Sequence, residues 1–366
     1  MVSNSSIRTL RPRDAGALRF LLALVTAACA GSGTSRAQAP AAVDPEEVRR
    51  SLSILAADSM EGRLTGSPGA ARAARFIADE LRRYGIAPAY PSTPGRDSAY
   101  FQRVPIARRN GGAGMVLLPS WEALDSVPAA RKVVDANVVG VLMGGDPQLR
   151  GEAVIVGAHY DHTGIGLAVD GDSIYNGADD DASGVVTVLE VARALASGPP
   201  PPRTVIFLLT TGEEMGLLGT HWYIRQPLLP LSATAADLQV EMVGRPDPEA
   251  GGAGRAWLTG YSRSTVGGNL AAAGVPIIDD PRPSQRFFER SDNIAFACQG
   301  IPAHTLSSFG MHGDYHQPSD EVERVDFVHL TGVIEAAVGA VRLLAEGDRP
   351  TWMAGGDPSG DTSVCG

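Results

Sequence analysis

The chain is poor in lysine, in cysteine and in positive charge. Of its 31 Lys and Arg residues only Lys132 is a lysine, a bias that reflects the nucleotide composition of the source and not chemistry. Three cysteines in 366 residues exclude a disulfide-dense scaffold. The 41 Asp and Glu residues leave a formal charge of -10, which argues against a general nucleic-acid binder, because such proteins present a basic face to phosphate. No Gly-x-Ser-x-Gly elbow precedes a helix, and no P-loop or GxGxxG follows a strand. Serine-hydrolase, NTPase and dinucleotide-binding readings therefore have no motif. No internal repeat is evident. What is present is a chain 44% hydrophobic and 20% charged, with ample apolar mass for a buried core.

The N-terminus differs in texture from the rest. Arg8, Arg11, Arg13 and Arg19 precede the apolar run Phe20–Ala30, and a small, polar stretch follows, which is the layout of a signal peptide over residues 1–30 with cleavage somewhere in 28–39. That run of eleven residues is far short of the roughly 20 that cross a bilayer, so no permanent membrane span is expected. The chain is expected to be exported, to a periplasm or the extracellular space. A lipoprotein through Cys29 is disfavoured by Thr26, which stands where such sites want Leu, Val or Ile. Export would leave Cys298 and Cys365 able to pair, although nothing in the sequence shows that they do.

Two amphipathic helices are predicted next. Asp44 caps the first, with Pro45 at its first position and Val48, Leu52 and Leu55 at helical spacing. The second carries Ala73, Phe76, Ile77 and Leu81 on one stripe and stops at Gly85. Residues 87–98 read as loop. From Asn137 onward, near-continuous apolar runs (NVVGVLM, EAVIVGAH, RTVIFLLTT, DLQVEM, IPAHTL) read as strands buried on both faces, with a helix bearing Val185, Val188, Leu189, Ala192 and Leu195 between the second and third. Strand, helix, strand in that order predicts an α/β fold with a mostly parallel, mixed central sheet flanked by helices. The domain is expected to span residues 44–345, with a polar, Gly-rich flexible tail over 346–366.

Acidic and histidine clusters stand where these strands end: GAHYDH after AVIV, GADDDAS before a helix, TTGEEMG after RTVIFLL, VEM after DLQ, and GDYHQPSD after IPAHTL. In an open α/β sheet, ligands bind beyond the carboxyl ends of the strands, so the five clusters are expected to face one crevice. His159 and Asp161, two apart in an extended segment, point to one side, which lets the carboxylate receive one imidazole N–H while the other nitrogen faces a metal. Asp179, Asp180 and Asp181 in a row are costly unless a cation offsets their repulsion, though Asp181 or Ser183 also suits a helix cap. Glu213 and Glu214 point in different directions, one suited to hold metal and the other to act as general base on a water. Glu241 and His316 complete a mixed N/O donor set that suits two zinc ions or another divalent pair. His162 is placed around this set, and His221, His304, His312 and His329 are taken as structural or exposed.

These motifs, in this order from about Val48 to Ala345, resemble the co-catalytic zinc aminopeptidases of peptidase family M28. DSMEGRLTGSPGAARAARFIADEL, GAHYDHTGIG, DSIYNGADDDASGV, LLTTGEEMGLLGT, VEMVGRP, RSDN, GIPAH and DYHQPSD carry the resemblance. It implies a three-layer zinc-exopeptidase fold in which Asp179 bridges two Zn2+, Glu214 and His316 complete one ion's ligands, and His159 with Glu241 the other's. Glu213 would be the general base, Asp161 the orienter of His159, and Asp180 the acid joined to the bridging Asp by a cis peptide. Tyr315 resembles a tyrosine that steadies the oxyanion in some members. Glu241 stands where many members have Asp, and Asn293 where RSDH would give His. The segment between Phe101 and Glu152 is too short for an inserted protease-associated domain, so a single catalytic domain is expected. The implied activity is release of N-terminal residues from peptides or proteins. Glutaminyl cyclases, similar in scaffold, and receptor-like ectodomains without catalysis are the alternatives; carboxypeptidase or dipeptidase action and oligomeric state are left open.

Overall fold

A computed structural model describes residues 42–91, 99–111 and 114–365. The expected signal segment, residues 1–30 with its cleavage region, lies outside the described residues.

Helix α1 (Pro45–Leu55) starts where its cap predicts: the Asp44 carboxylate accepts the Glu46 N–H at 3.1 Å, and Val48, Leu52 and Leu55 are buried. Helix α2 (Pro68–Arg83) is capped by Ser67, which accepts the Ala70 N–H. It ends as Gly85 turns left-handed at φ 79° and the Ile86 N–H returns to the Leu81 carbonyl. Helix α2 lays its apolar stripe on the sheet at the strand Lys132–Leu142, and α1 lays its own on the helices Gly184–Ala196 and Phe327–Glu346.

The strands are, in chain order, β1 (Ala87–Pro88), β2 (Phe101–Arg108), β3 (Met115–Leu117), β4 (Lys132–Leu142), β5 (Ala153–His159), β6 (Gly164–Val169), β7 (Asp172–Tyr175), β8 (Thr204–Thr210), β9 (Thr234–Val240), β10 (Ala256–Leu258), β11 (Ile277–Asp279) and β12 (Ala303–Ser307). Residues 87–88, expected in a loop, instead pair with β4. Ten of these strands form one sheet among the described residues, ordered β11-β10-β12-β9-β5-β8-β4-β2-β3 with β1 beside β4, while β6 and β7 make a separate hairpin. The centre β12-β9-β5-β8 is parallel, and the antiparallel β4, β2 and β3 extend one edge. The sheet is thus mixed, with a parallel centre, as the strand–helix–strand pattern predicts.

Alternation on β5 divides the interior. Val154, Val156 and Ala158 pack with residues of α1, α2, α3 (Gly184–Ala196) and α7 (Phe327–Glu346), whereas Ala153 and Ile155 face Tyr223, Phe296 and Ile301 on the other side. Tyr223 lies on α4 (Leu218–Arg225) and Phe296 on α6 (Asn293–Ala297), so helices cover both faces. The short α5 (Thr265–Ala272) packs its Val266 and Leu270 into the first of these cores. Truncating one such core side chain to Ala costs about 2–5 kcal/mol. Helix α7, 20 residues long, is apolar enough to cross a membrane by composition alone, and half of its most apolar window is buried in protein, against α3, α1 and β5.

The segment expected to be a flexible tail is instead fastened down. Thr265 N–H bonds the Thr351 carbonyl, Met353 N–H bonds the Arg263 carbonyl, and the Trp352 indole N–H donates to the Gly300 carbonyl at 3.0 Å. The last helix, α8 (Thr362–Cys365), brings Cys365 into a disulfide with Cys298. A polar, Gly-rich composition misleads here because a few long-range contacts, not local propensity, hold the segment.

Candidate metal centre

Because β5, β8, β9 and β12 run parallel, their carboxyl ends lie on one side of the sheet. His159 is the last residue of β5, Glu213 and Glu214 follow β8, Glu241 follows β9, and the loop after β12 carries Tyr315 and His316. Between β7 and α3 the irregular turn Ala178–Ser183 holds the three aspartates, and its Asp180–Asp181 peptide is cis. Gly177 precedes it at φ 55°, where an added Cβ would stand 2.1 Å from the Asp180 carbonyl oxygen and 2.6 Å from the His162 ring. Met242 and His316 also adopt left-handed backbone, at φ 51° and 55°, a cost that side chains other than glycine bear chiefly at functional sites.

The three acids separate completely. Asp180 faces the histidines: its Oδ1 lies 3.3 Å from His159 Nε2, and its Oδ2 lies 3.1 Å from His316 Nε2 and 3.8 Å from His162 Nδ1. Asp180 therefore belongs to two donor sets, one with His159 and Glu241, the other with His162, Glu214 and His316. Asp179, expected to be the shared carboxylate, is turned away. Its Oδ1 accepts the Gly244 N–H at 2.6 Å, and its Oδ2 lies 2.8 Å from His312 Nε2. Asp181 accepts the N–H groups of Gly184 and Met242, both at 3.0 Å. The expected register is thus off by one residue: Asp180 takes the place assigned to Asp179, and Asp181 the place across the cis peptide.

Two further residues differ in part from expectation. His162 joins a donor set directly, with Nδ1 2.9 Å from Glu214 Oε1. Asp161 orients His159 through its backbone, since Nδ1 is 3.1 Å from the Asp161 carbonyl oxygen and 3.9 Å from its carboxylate. The strand ends at His159, so the two-residue alternation no longer governs position 161. The Asp161 carboxylate instead accepts the Glu213 N–H at 3.1 Å and the Thr65 hydroxyl at 3.0 Å, fixing the turn that presents Glu213.

The electrostatics call for a cation. Burial pushes the Glu213 carboxyl well above its ordinary range and raises Glu241 to about 7. Burial acts the same way on Asp180, yet the nearby imidazoles of His159 and His316 outweigh it and hold that carboxyl well below normal. Burial would lower His316, but Asp180 and Glu214 bring it up to about 10. His159 Nε2 and Glu241 Oε2 are buried with no hydrogen-bond partner. Orphaned imidazole and carboxylate atoms converging on one shared carboxylate fit a divalent cation such as zinc.

Some of the surrounding residues carry no signal in the sequence. Arg63 is buried, 1% exposed, and its guanidinium donates to the carbonyls of Tyr160, Leu55, Asn176 and Gly177, and at 3.5 Å to that of Asp180. Asp320 accepts the N–H groups of both Asp179 and Asp180. Asn293 ties the Phe288 carbonyl to the Thr305 hydroxyl, and Asp292 accepts the Thr210 hydroxyl. Tyr315 stacks on His316 with ring centroids 3.9 Å apart. Among the histidines taken as structural, His304 and His329 are buried and hydrogen-bonded, whereas His312 holds Asp179.

The fold is shared with solved aminopeptidases. An aminopeptidase from Aneurinibacillus sp. strain AM-1 superposes with a TM-score of 0.57 at 18% identity, covering 83% of this chain and 94% of that one. BSAP, a zinc aminopeptidase from Bacillus subtilis, gives a TM-score of 0.59 at 16% identity over 83% and 96% of the two chains. By sequence the chain is similar to a probable leucine aminopeptidase 2 of Aspergillus oryzae, 32% identical over 200 residues that make up 52% of this chain and 36% of that one. It also matches a vacuolar membrane protease of Botryotinia fuckeliana, 26% identical over 216 residues, 58% of this chain and 19% of that one. The chain thus spans well under half the length of these curated relatives. The profile of peptidase family M28 matches residues 137–340, more than half of the sequence and all of the clusters around Asp180, and the chain belongs to that family.

Proposed function

We propose that the protein is a two-zinc exopeptidase, an aminopeptidase that releases N-terminal residues from peptides or proteins. One observation carries the reading: Asp180 is common to two donor sets, while Glu213 stands beside them and belongs to neither. His159, Asp180 and Glu241 would hold one ion; Asp180, Glu214 and His316, with His162 in reach, the other. When bound, such ions supply Lewis acidity that activates a water and polarises a scissile carbonyl.

The chain's own groups do the rest. Glu213, whose N–H is anchored on Asp161, takes a proton from the attacking water and returns it to the leaving amine. Tyr315, held against His316, donates its hydroxyl to the developing oxyanion. Asp161 keeps His159 in one tautomer by accepting Nδ1–H on its carbonyl oxygen. The Cys298–Cys365 disulfide supports export, since such bonds persist in oxidising compartments.

The test is a metal-stripped and zinc-reloaded comparison on leucine anilide, dipeptides, N-blocked peptides and a Gln-peptide. Chelator-sensitive release of free N-terminal residues is expected, with about two zinc ions bound per chain if each donor set takes one. Cleavage from the C-terminus, cyclisation of the Gln-peptide or full activity without metal would overturn the assignment.

A further inference from the structure

A cavity of about 40 Å³ adjoins the candidate centre and shares Glu241 and Tyr315 with it. Trp257, Phe287 and Phe309 give it aromatic walls, and Arg290 is its only basic lining residue. Three arginines lie in the segment that forms this side of the molecule. Arg282 is paired with Asp247, and Arg286 with Glu289. Arg290 has no ion pair and no side-chain hydrogen bond among the described residues. Its guanidinium carbon sits 5.0 Å from the centroid of the Phe287 ring. Stacking of this kind fixes a planar guanidinium by its face and leaves its N–H edges available to a ligand.

We propose that Arg290 is a specificity residue that receives a carboxylate of the substrate, so that the enzyme favours peptides with an acidic first side chain or a nearby free C-terminus. The inference rests on the exopeptidase reading and deepens it. A lysine or arginine side chain entering the cavity would meet Arg290 with like charge. A carboxylate would meet an unengaged fork of donors suited to bidentate pairing. Glu241 does not cancel this preference, because the reading gives its charge to a bound cation. Arg290 lines the same cavity as Tyr315 and Glu241, which places its charge at the reacting end of the cavity.

Two matched pairs of probes separate the possible sources of the carboxylate. Glutamate against glutamine, and their anilides, report on the side chain; Leu-Gly against Leu-Gly amide reports on the C-terminus. Calorimetric binding to the zinc-loaded protein and kcat/KM are both measured. The acid is expected to be preferred in at least one pair by roughly three- to tenfold, the scale of one charge-assisted pair at a partly exposed site. R290Q should bring that ratio near unity, R290K should keep part of it, and R290E should reverse it. Equal binding and equal kcat/KM for acid and amide in both pairs, or a preference that survives R290Q, overturns the role of Arg290. Hydrolysis without discrimination therefore removes this inference alone. An acid preference in binding without any hydrolysis removes the exopeptidase reading and leaves Arg290 as the carboxylate site.

Discussion

Asp179 and Asp180 share a peptide bond, yet Asp179 Oδ2 lies 2.8 Å from His312 Nε2 while Asp180 Oδ1 lies 3.3 Å from His159 Nε2. The first carboxylate fastens the loop that carries Tyr315 and His316; the second stands between two sets of metal-type donors. Exchanging either acid for its amide removes the same charge from the same stretch of chain, so only position distinguishes the outcomes. Asp180→Asn is expected to lose most bound zinc, whereas Asp179→Asn should stay near the wild-type content at saturating metal. Elemental analysis of the two purified variants decides the matter, and the opposite ranking would restore Asp179 as the shared ligand.

Glu213 belongs to neither donor set, so removing its charge should leave metal binding intact. Glu213→Gln keeps the shape and loses the proton acceptor. Its kcat is expected to fall by about 10²–10⁴-fold, the usual contribution of a positioned general base. Zinc content measured on the same preparation must remain at the wild-type level. Ordinary turnover in the variant, or loss of zinc with the activity, would remove Glu213 from the role.

How far the sequence could be read follows from the range over which each feature is determined. The start of helix α1 was legible to the residue because Asp44 and Pro45 act within one turn of it. The five apolar strands were legible because burial on both faces demands apolar runs, and the parallel order of four of them, β5, β8, β9 and β12, then places their end clusters on one side. The choice among Asp179, Asp180 and Asp181 was not legible: three identical side chains in a row carry no periodicity, and their directions are set by Gly177, Gly244 and Asp320, which are distant in sequence or conformational in effect. Arg63 was equally hidden, since its partners are carbonyl groups, and every residue has one.

His304 supplies a pH test away from the metal ligands. Its Nδ1 is hydrogen-bonded to the Thr259 carbonyl and its Nε2 to the Ser264 hydroxyl, and burial pushes its pKa from 6.5 down to about 4. Below about pH 6.5 the unfolded chain takes up this proton, whereas the folded chain takes it up only near pH 4. The unfolded state binds more protons throughout that window, so stability falls as the pH drops through it. Between pH 7 and 5 the loss due to this residue is about 2 kcal/mol. Urea unfolding at both values should show the wild type losing that much more than His304→Gln. Parallel losses in the two proteins would show that His304 is not held neutral.

The Cys298–Cys365 disulfide gives the last test, because the tail's attachment has two parts that can be separated. One is contact: the Trp352 ring lies 6.5 Å from Phe288 and 5.9 Å from His304, centroid to centroid, and its N–H bonds the Gly300 carbonyl. The other is covalent and joins residues 67 apart in sequence. A cross-link over a loop of that length stabilises chiefly by restricting the unfolded chain, by about 2–4 kcal/mol in typical cases. Cys365→Ser should therefore unfold at lower guanidinium concentration by that amount while the Trp352 contacts persist in the folded state. Wild-type protein unfolded under a strong reductant should match the variant, since both lack only the bond. A variant as stable as oxidised wild type would mean that contact alone holds the tail. A variant whose segment beyond α7 is cleaved rapidly by protease under native conditions would mean the reverse, that Trp352 docks only because the disulfide keeps it near.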